Sequence, residues 1–385
     1  MDKKKQRLPK PKPLLECFEG LPDPRLDRTR RHKLVDILTI GLCSILSGGE
    51  NFSEMEFYGR IKEDWLKTFL ELPNGIPSHD TMNRVFSAID PHAFLDCFVC
   101  WVQGICPELA DQTVDIDGKA LRHALNEGDS IPYIVSAWAS EAGLVLGQVK
   151  VKDKSNEITA VPELLDALHL KGCIVTLDAM GCQKDIAAHI IEKEADYVLA
   201  LKGNHATVHE EIKEFFADAV PPCATQCADT AQKDKMDFCQ TTDAGHGRNE
   251  IRRYWQSTDI DWFEDKHLWK NLRSIGMVES RRKVKGKTSI ERRYYLSSLP
   301  LNAQRFGKAV REHWGVENPL HWSLDVVFRE DDSSARTKNA AQNVASLRRI
   351  ALNLIKKDRT IKGPQKSKRL AAALDTDFLK HLLGI

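Results

Sequence analysis

The order of apolar runs between Thr113 and Gly203 constrains this chain's fold more than any other feature. TVDID (Thr113 to Asp117) alternates and meets Gly118; YIVSAWAS and LVLGQVKV follow, with Gly143 and its neighbours as the turn between the last two. Period-two runs of branched and aromatic residues separated by turn residues are strand signals, so the three read as an antiparallel meander. NEITAVPELLDALHL then reads as a helix, CIVTLDA as a short strand, QKDIAAHIIEKEA as a helix and YVLALKG as a strand. Strand, helix, strand, helix, strand after a meander implies a mixed α/β sheet with helices on its faces.

The flanks differ from this core. Residues 1–33 are rich in proline and lysine and read as a basic, flexible arm. Residues 34–106 read as helical: LVDILTIGLCSILSG is a buried helix stopping at Gly48, and FSEMEFYGRIKEDWLKTFL has an amphipathic period, with Ser53 and Glu56 at capping-box spacing. In GIPSHDTMNRVFSAI, Ser78 is an N-cap and places Thr81, Asn83 and Arg84 on the early turns of a short helix. Two helices so joined resemble a DNA-binding helix-turn-helix; a helical packing domain without DNA contact is the alternative. Residues 205–300 interrupt the core with a mostly β insertion in which RNEIRRYWQ, LRSIGMVESRRKV and SIERRYYLSSL look like strands. Helix returns over 301–357, so the core comprises 108–204 and 301–357, and a basic tail with a short helix covers 358–385.

At 385 residues with 42% apolar content, the chain can build a sizeable core. No apolar run approaches the ~20 residues of a membrane span, and MDKKKQRLPKPKPLLE has no apolar signal core, so cytoplasmic residence without a membrane partner is expected. The ten cysteines are scattered and are expected to be reduced thiols. Net charge is only +1, but basic residues cluster in the arm, in RRKVKGK (Arg281 to Lys287) and from Arg348 to Arg369. Such patches suit phosphate backbones; solvated faces are the alternative.

Asp117 and Asp178 each stand at the carboxyl end of a strand, where reactive groups of open α/β sheets gather. If the first and fourth strands are neighbours, the two carboxylates meet. Hard oxygen ligands without thiolates suit Mg²⁺ or Mn²⁺, and a third carboxylate can come from a late helix.

The segments IDGKALR, VTLDAMGCQKDIA, ADYVLALKGNH and HWGVENPLHWSLDVVFRED together resemble the DDE transposases of bacterial insertion sequences, in the H-repeat-associated group. The resemblance covers most of the chain. It implies a ribonuclease H-like fold, with Asp117, Asp178 and Glu317 as the catalytic, metal-holding triad. It also implies metal-dependent hydrolysis at the element ends, followed by attack of the freed 3′-hydroxyl on target DNA. Double-stranded DNA, as element ends and target, is the expected partner, with a homodimer in the synaptic complex and association with the nucleoid. Related insertion-sequence enzymes carry a Tyr, an Arg and a Lys around the last Glu, whereas those spacings fall here on Val310, His313 and Leu324. His313 remains a candidate phosphate donor and Arg311 is the nearest substitute cation. A catalytically inactive DNA-binding remnant and a nuclease without transposition are the alternatives.

Other readings stay open beside the triad. Asp115 shares a strand face with Asp117, and Glu330, Asp331 or Asp332 could replace Glu317. Asp178 could simply cap the helix that follows. His313, Glu317 and His321 are spaced for one helical face, which admits zinc, although Pro319 disturbs that geometry. His205 with His209, and Cys97 with Cys100, have metal-like spacings that read better as packing. Lys119, Arg122, Lys202 and Asn204 follow strands near the aspartates and are candidate DNA contacts, with structural ion pairs as the alternative for each.

Overall fold

In the computed structural model, the described residues are 12–107, 109–121, 132–151, 157–220, 234–245, 248–284 and 287–385. The helices are α1 (Leu14–Glu19), α2 (Leu34–Leu46), α3 (Phe52–Ile61), α4 (Glu63–Leu66), α5 (His79–Ala88) and α6 (Pro91–Ile105), then α7 (Glu157–Ala167), α8 (Lys184–Glu192) and α9 (Ala206–Ala219). After the insertion come α10 (Ala303–His313), a π-helix over Glu317–Val327, α11 (Ala340–Lys357), α12 (Gln365–Leu374) and α13 (Thr376–Leu383). The strands are β1 (Thr113–Ala120), β2 (Tyr133–Ala139), β3 (Leu144–Val151), β4 (Ile174–Leu177), β5 (Asp196–Leu201), β6 (Met236–Gly245), β7 (Arg248–Ser257), β8 (Ser274–Val284) and β9 (Lys287–Ser297).

These strands form a mixed sheet in the order β3-β2-β1-β4-β5-β9-β8-β7-β6. β2 and β3 are antiparallel; β1, β4 and β5 are parallel; and β9 returns antiparallel to β5, continuing as an antiparallel meander to β6. The three parallel strands are buried along almost their whole length, as continuous apolar runs require when both faces are covered. The chain divides into two compact units. One comprises residues 1–108, 118–168 and 316–385, and the other 109–117 and 169–315.

The first unit is mostly helical. Asn51 caps α3 by accepting from the Glu54 amide at 3.0 Å, and Glu54 reaches back to the Glu50 amide at 2.7 Å. The capping pair is therefore Asn51 with Glu54 and not Ser53 with Glu56; Glu56 binds the backbone and ring of His79 instead. Ser78 does cap α5, accepting from the Thr81 amide. α4 and residues 67–78 separate α3 from α5, where a helix-turn-helix has a turn of about 3–4 residues. Leu14–Glu19, expected within an extended arm, is a helix because Leu14, Cys17 and Phe18 are buried. The basic C-terminal segment also turns inward. Arg348 is 1% and Arg349 0% exposed, and Arg369 donates to the carbonyls of Ile45 and Val327, so these guanidiniums are structural and not a phosphate-binding face.

In the second unit, α10 lies against the sheet through close contacts at glycine. A Cβ on Gly276 would stand 2.2 Å from the Phe306 ring, and one on Gly307 2.8 Å from Tyr254. Glycine lets helix and strand approach directly at both points. The strand β6, MDFCQTTDAG, was absent from the sequence reading, since its polar residues give no clear alternation.

Candidate active site

Ile116 and Leu177 are the last paired residues of the parallel strands β1 and β4. The next residue on each strand is an aspartate, so Asp117 and Asp178 leave neighbouring strands at the same carboxyl edge. β1 itself does not stop at Gly118 but continues to Ala120; what ends is its pairing with β4. The Glu157 carboxylate packs closely over Gly118, where a Cβ would lie 2.4 Å from it and the carboxylate would have to shift.

Asp178 sits in a tight turn. Its Oδ1 accepts from the amides of Met180 at 2.9 Å and Gly181 at 3.3 Å. It does not cap α8, whose N-cap is Gln183. The loop after β5 is fastened to this turn: Asn204 donates to the Ala179 carbonyl at 2.6 Å, and His205 Nε2 meets the Cys182 carbonyl at 2.8 Å. Lys202, exposed on the same loop, is thereby anchored near Asp178. His205 also packs on Trp269, and His209 on Tyr294, so this pair serves packing.

Two residues before the aspartates on their strands lies a buried polar chain. Asp115, fully buried, is the strand partner of Thr176, whose hydroxyl donates to Asp115 Oδ1 at 2.5 Å. The Thr176 oxygen then accepts from His313 Nδ1 at 3.0 Å. Burial pushes the His313 pKa down to about 4; Asp178 opposes this, while Arg293 and Lys202 reinforce it. His313 is thus a neutral imidazole held at the end of α10. The expected phosphate-donor role does not suit it: one ring nitrogen is engaged, the ring carries no charge, and only 7% of the residue is exposed. Asp115 is likewise engaged inside the sheet. Thr176 was missed in the sequence, although it stands two residues before Asp178 as Asp115 does before Asp117.

In the first unit, Lys119 is 8% exposed and ion-paired with Asp325 at 2.6 Å, Asp331 at 3.0 Å and Glu330 at 3.4 Å. Glu330 is also bound by Arg349 at 2.6 Å. Burial alone would raise the Glu330 pKa, but Arg349 and then Lys119 bring it down to about 2. Lys119 is therefore an internal counter-ion and not an available DNA contact. Glu330 and Asp331 are engaged in the same way, and Asp332 pairs with Arg329 at 2.8 Å. Glu317 is exposed and has no ion pair among the described residues.

Glu317 opens the π-helix. α10 ends at His313, the chain turns through Trp314–Val316, and Phe328 N–H bonds to Ser323 O with π-helical spacing. His313, Glu317 and His321 therefore share no continuous α-helical face. His321 is also held neutral, at a pKa of about 4, by burial and by the charges of Arg349 and Lys119. Each histidine has its own surroundings, and zinc finds no paired site. Arg311 is exposed and 3.8 Å from Asp243, and Arg122 lies outside the described residues. Among the described residues no group of three or more His, Cys, Asp or Glu side chains forms a metal cluster. None of the eight described cysteines forms a disulfide; burial raises the Cys97 thiol to about 12, whereas Cys100 is exposed.

A mixed α/β sheet whose parallel strands bring two aspartates to one carboxyl edge offers hard oxygen ligands of the kind that enzymes of phosphoryl transfer use. Residues 109–354 match the family model described as "Transposase DDE domain", and residues 15–102 the model described as "DDE_Tnp_1-associated". "Putative transposase YncI" of Escherichia coli O157:H7 is 40% identical, over 96% of this chain and 94% of that protein. "H repeat-associated putative transposase YhhI" of Escherichia coli strain K12 is 37% identical, over 97% of this chain and 98% of that protein. A piggyBac transposase synaptic complex with hairpin DNA aligns with 96% of this chain and 76% of that one at 11% identity, and its TM-score of 0.42 is too low to support any inference. The chain belongs to the DDE transposases, in the H-repeat-associated group. Its function is that of a transposase, an enzyme class whose chemistry implies DNA and a divalent metal. No single helix among the described residues is long and apolar enough to cross a membrane.

Proposed function

We propose that this transposase cuts the ends of its own mobile element in a metal-dependent hydrolysis and transfers the freed 3′-hydroxyl into target DNA. Asp117, Asp178 and Glu317 would hold Mg²⁺ or Mn²⁺. The observation that carries this reading is the register of β1 and β4, which delivers Asp117 and Asp178 to one sheet edge. The donor set fits: both groups supply hard oxygens, and the Asp178 turn leaves Oδ2 without a hydrogen bond among the described residues. Glu317 is assigned by its sequence motif, with support from the engagement of Glu330, Asp331 and Asp332 elsewhere. The strand order of β1 to β5 suits the ribonuclease H-like core that the family resemblance implies.

A divalent cation, when bound, polarises phosphoryl oxygens and activates water for attack. The chain's own residues provide the frame. The Met180 and Gly181 amides orient the Asp178 carboxylate, and Asn204 holds the turn in place. Lys202, and Arg311 at the end of α10, offer cations to DNA phosphates, and Arg122 is a further candidate from its position after β1. Neutral His313 and Thr176 fix α10 to the sheet beneath the aspartates. The enzyme would act as a homodimer in its synaptic complex and associate with the nucleoid when bound to DNA.

The test is incubation of the full chain with labelled linear DNA bearing the element ends and a target plasmid, with Mg²⁺ or Mn²⁺. Joined product is expected. Cleavage without joining would mean a nuclease, and salt-sensitive binding without cleavage a DNA-binding protein.

A further inference from the structure

The two faces of the far half of the four-stranded meander differ in how their charges are paired. Alternation along β8 and register with its neighbours assign each side chain to a face. On one face, Arg253, Glu279 and Arg292 form a row, two guanidiniums against one carboxylate. The next row is Thr242, Ile251, Arg281 and Ile290, and the outermost includes Asn249, Lys283 and Thr288. Each row carries one net positive charge, and successive rows are about 6.6–6.8 Å apart along the strand. Arg281 and Lys283 are exposed and have no ion pair among the described residues. Arg281 stands between two isoleucines, of which Ile290 is 53% exposed, so its stem has apolar neighbours while its head faces solvent.

On the opposite face most charges are paired, and the exposed Lys287 stands at its outer end. Glu250 binds Arg252 at 2.7 Å and Arg282 at 3.3 Å, Glu291 binds Arg293 at 2.8 Å, and Asp243 is bound by Arg252. α10 reaches that face, with Arg311 beside Asp243 and Trp314 beneath Arg293. The base of the first face is covered by α9, whose His209 and Phe216 pack on Tyr294, and Glu279 in the next row is only 5% exposed, whereas Arg281, Ile290, Asn249 and Lys283 in the two outer rows are exposed.

We propose that this open face, centred on Arg281 and Lys283, is a DNA-backbone contact surface. An antiparallel ribbon carrying regularly spaced cations, with Asn and Thr donors between them, matches a polyanion and not an apolar partner. The proposal rests on the transposase reading and names where in the insertion its DNA is held.

The test measures binding of the full chain to duplexes cut from the DNA flanking its gene, and to a scrambled duplex, across a salt series. Arg281→Ala with Lys283→Ala removes two phosphate contacts. It is expected to weaken binding to both duplexes about 10-fold or more near 0.1 M salt, and to reduce the slope of log affinity against log salt by about 2. Arg282→Ala with Lys287→Ala removes the same charge from the opposite face and should change affinity less than about 2-fold. All four positions are exposed, and unchanged circular dichroism would exclude misfolding as the cause. Equal losses in the two double variants, or no loss in the first, overturn the face assignment while leaving the transposase reading intact. Absence of DNA binding by the wild type at low salt overturns both.

Discussion

Thr176 joins Asp115 on β1 and His313 on α10 through its single hydroxyl. Thr176→Val keeps the shape and removes the hydroxyl, so we expect about 1–3 kcal/mol of lost stability in denaturant titration. A change within error would mean that the chain of hydrogen bonds is incidental. The two buried histidines and Glu330 also set distinct pH windows. A histidine held near 4 is neutral when folded, while the unfolded chain takes up a proton below about 6.5. Its stabilising effect is therefore full above pH ~6.5 and lost as pH falls toward 4. Glu330, held near 2, contributes stability above pH ~4.5 that is lost as pH falls toward 2. Removing one of the two titrations with His313→Asn should roughly halve the histidine-linked slope between pH 6.5 and 4. An unchanged slope would place His313 in water as an ordinary titrating side chain.

At the scale of elements, Gly276 and Gly307 decide how closely α10 lies on β8 and β7. Gly276→Ala forces a methyl group into the Phe306 ring, and a loss of about 1–3 kcal/mol is expected from overpacking. Gly203→Ala, where the added Cβ meets nothing within 4 Å, is the control and should cost far less. The core strands, and the places of Asp117 and Asp178 at the ends of two of them, were legible in the sequence because β4 and β5 are nearly continuous apolar runs and β1 alternates up to Gly118. β6 was not legible, since its pairing with β7 and not its own pattern makes it a strand. The α3 cap was misplaced by two residues because two acid spacings competed, and only the partner of Glu56, His79, decides between them. Charge was the least legible property. Lys119, Arg348, Arg349 and Arg369 look like surface cations in a sequence, yet their burial depends on partners from distant parts of the chain.

On the scale of the whole molecule, the Lys119 cluster ties the end of β1 to a segment 212 positions later. Arg349→Leu leaves the Glu330 carboxylate buried with half its counter-charge, and we expect a loss of about 3–5 kcal/mol in equilibrium unfolding. A loss below about 1 kcal/mol would mean that Lys119 alone suffices. The same engagement bears on the active site. With Glu330, Asp331 and Asp332 engaged in ion pairs, the proposed site is left with the aspartates at the sheet edge and Glu317. The direct measurement is the rate of Mg²⁺-dependent strand cleavage at element ends by folded Asp117→Asn, Asp178→Asn and Asp332→Asn enzymes. Loss of at least about 10³-fold in the first two, with Asp332→Asn within about 3-fold of wild type, is the predicted result. A wild-type rate in Asp178→Asn would contradict the assignment of the site.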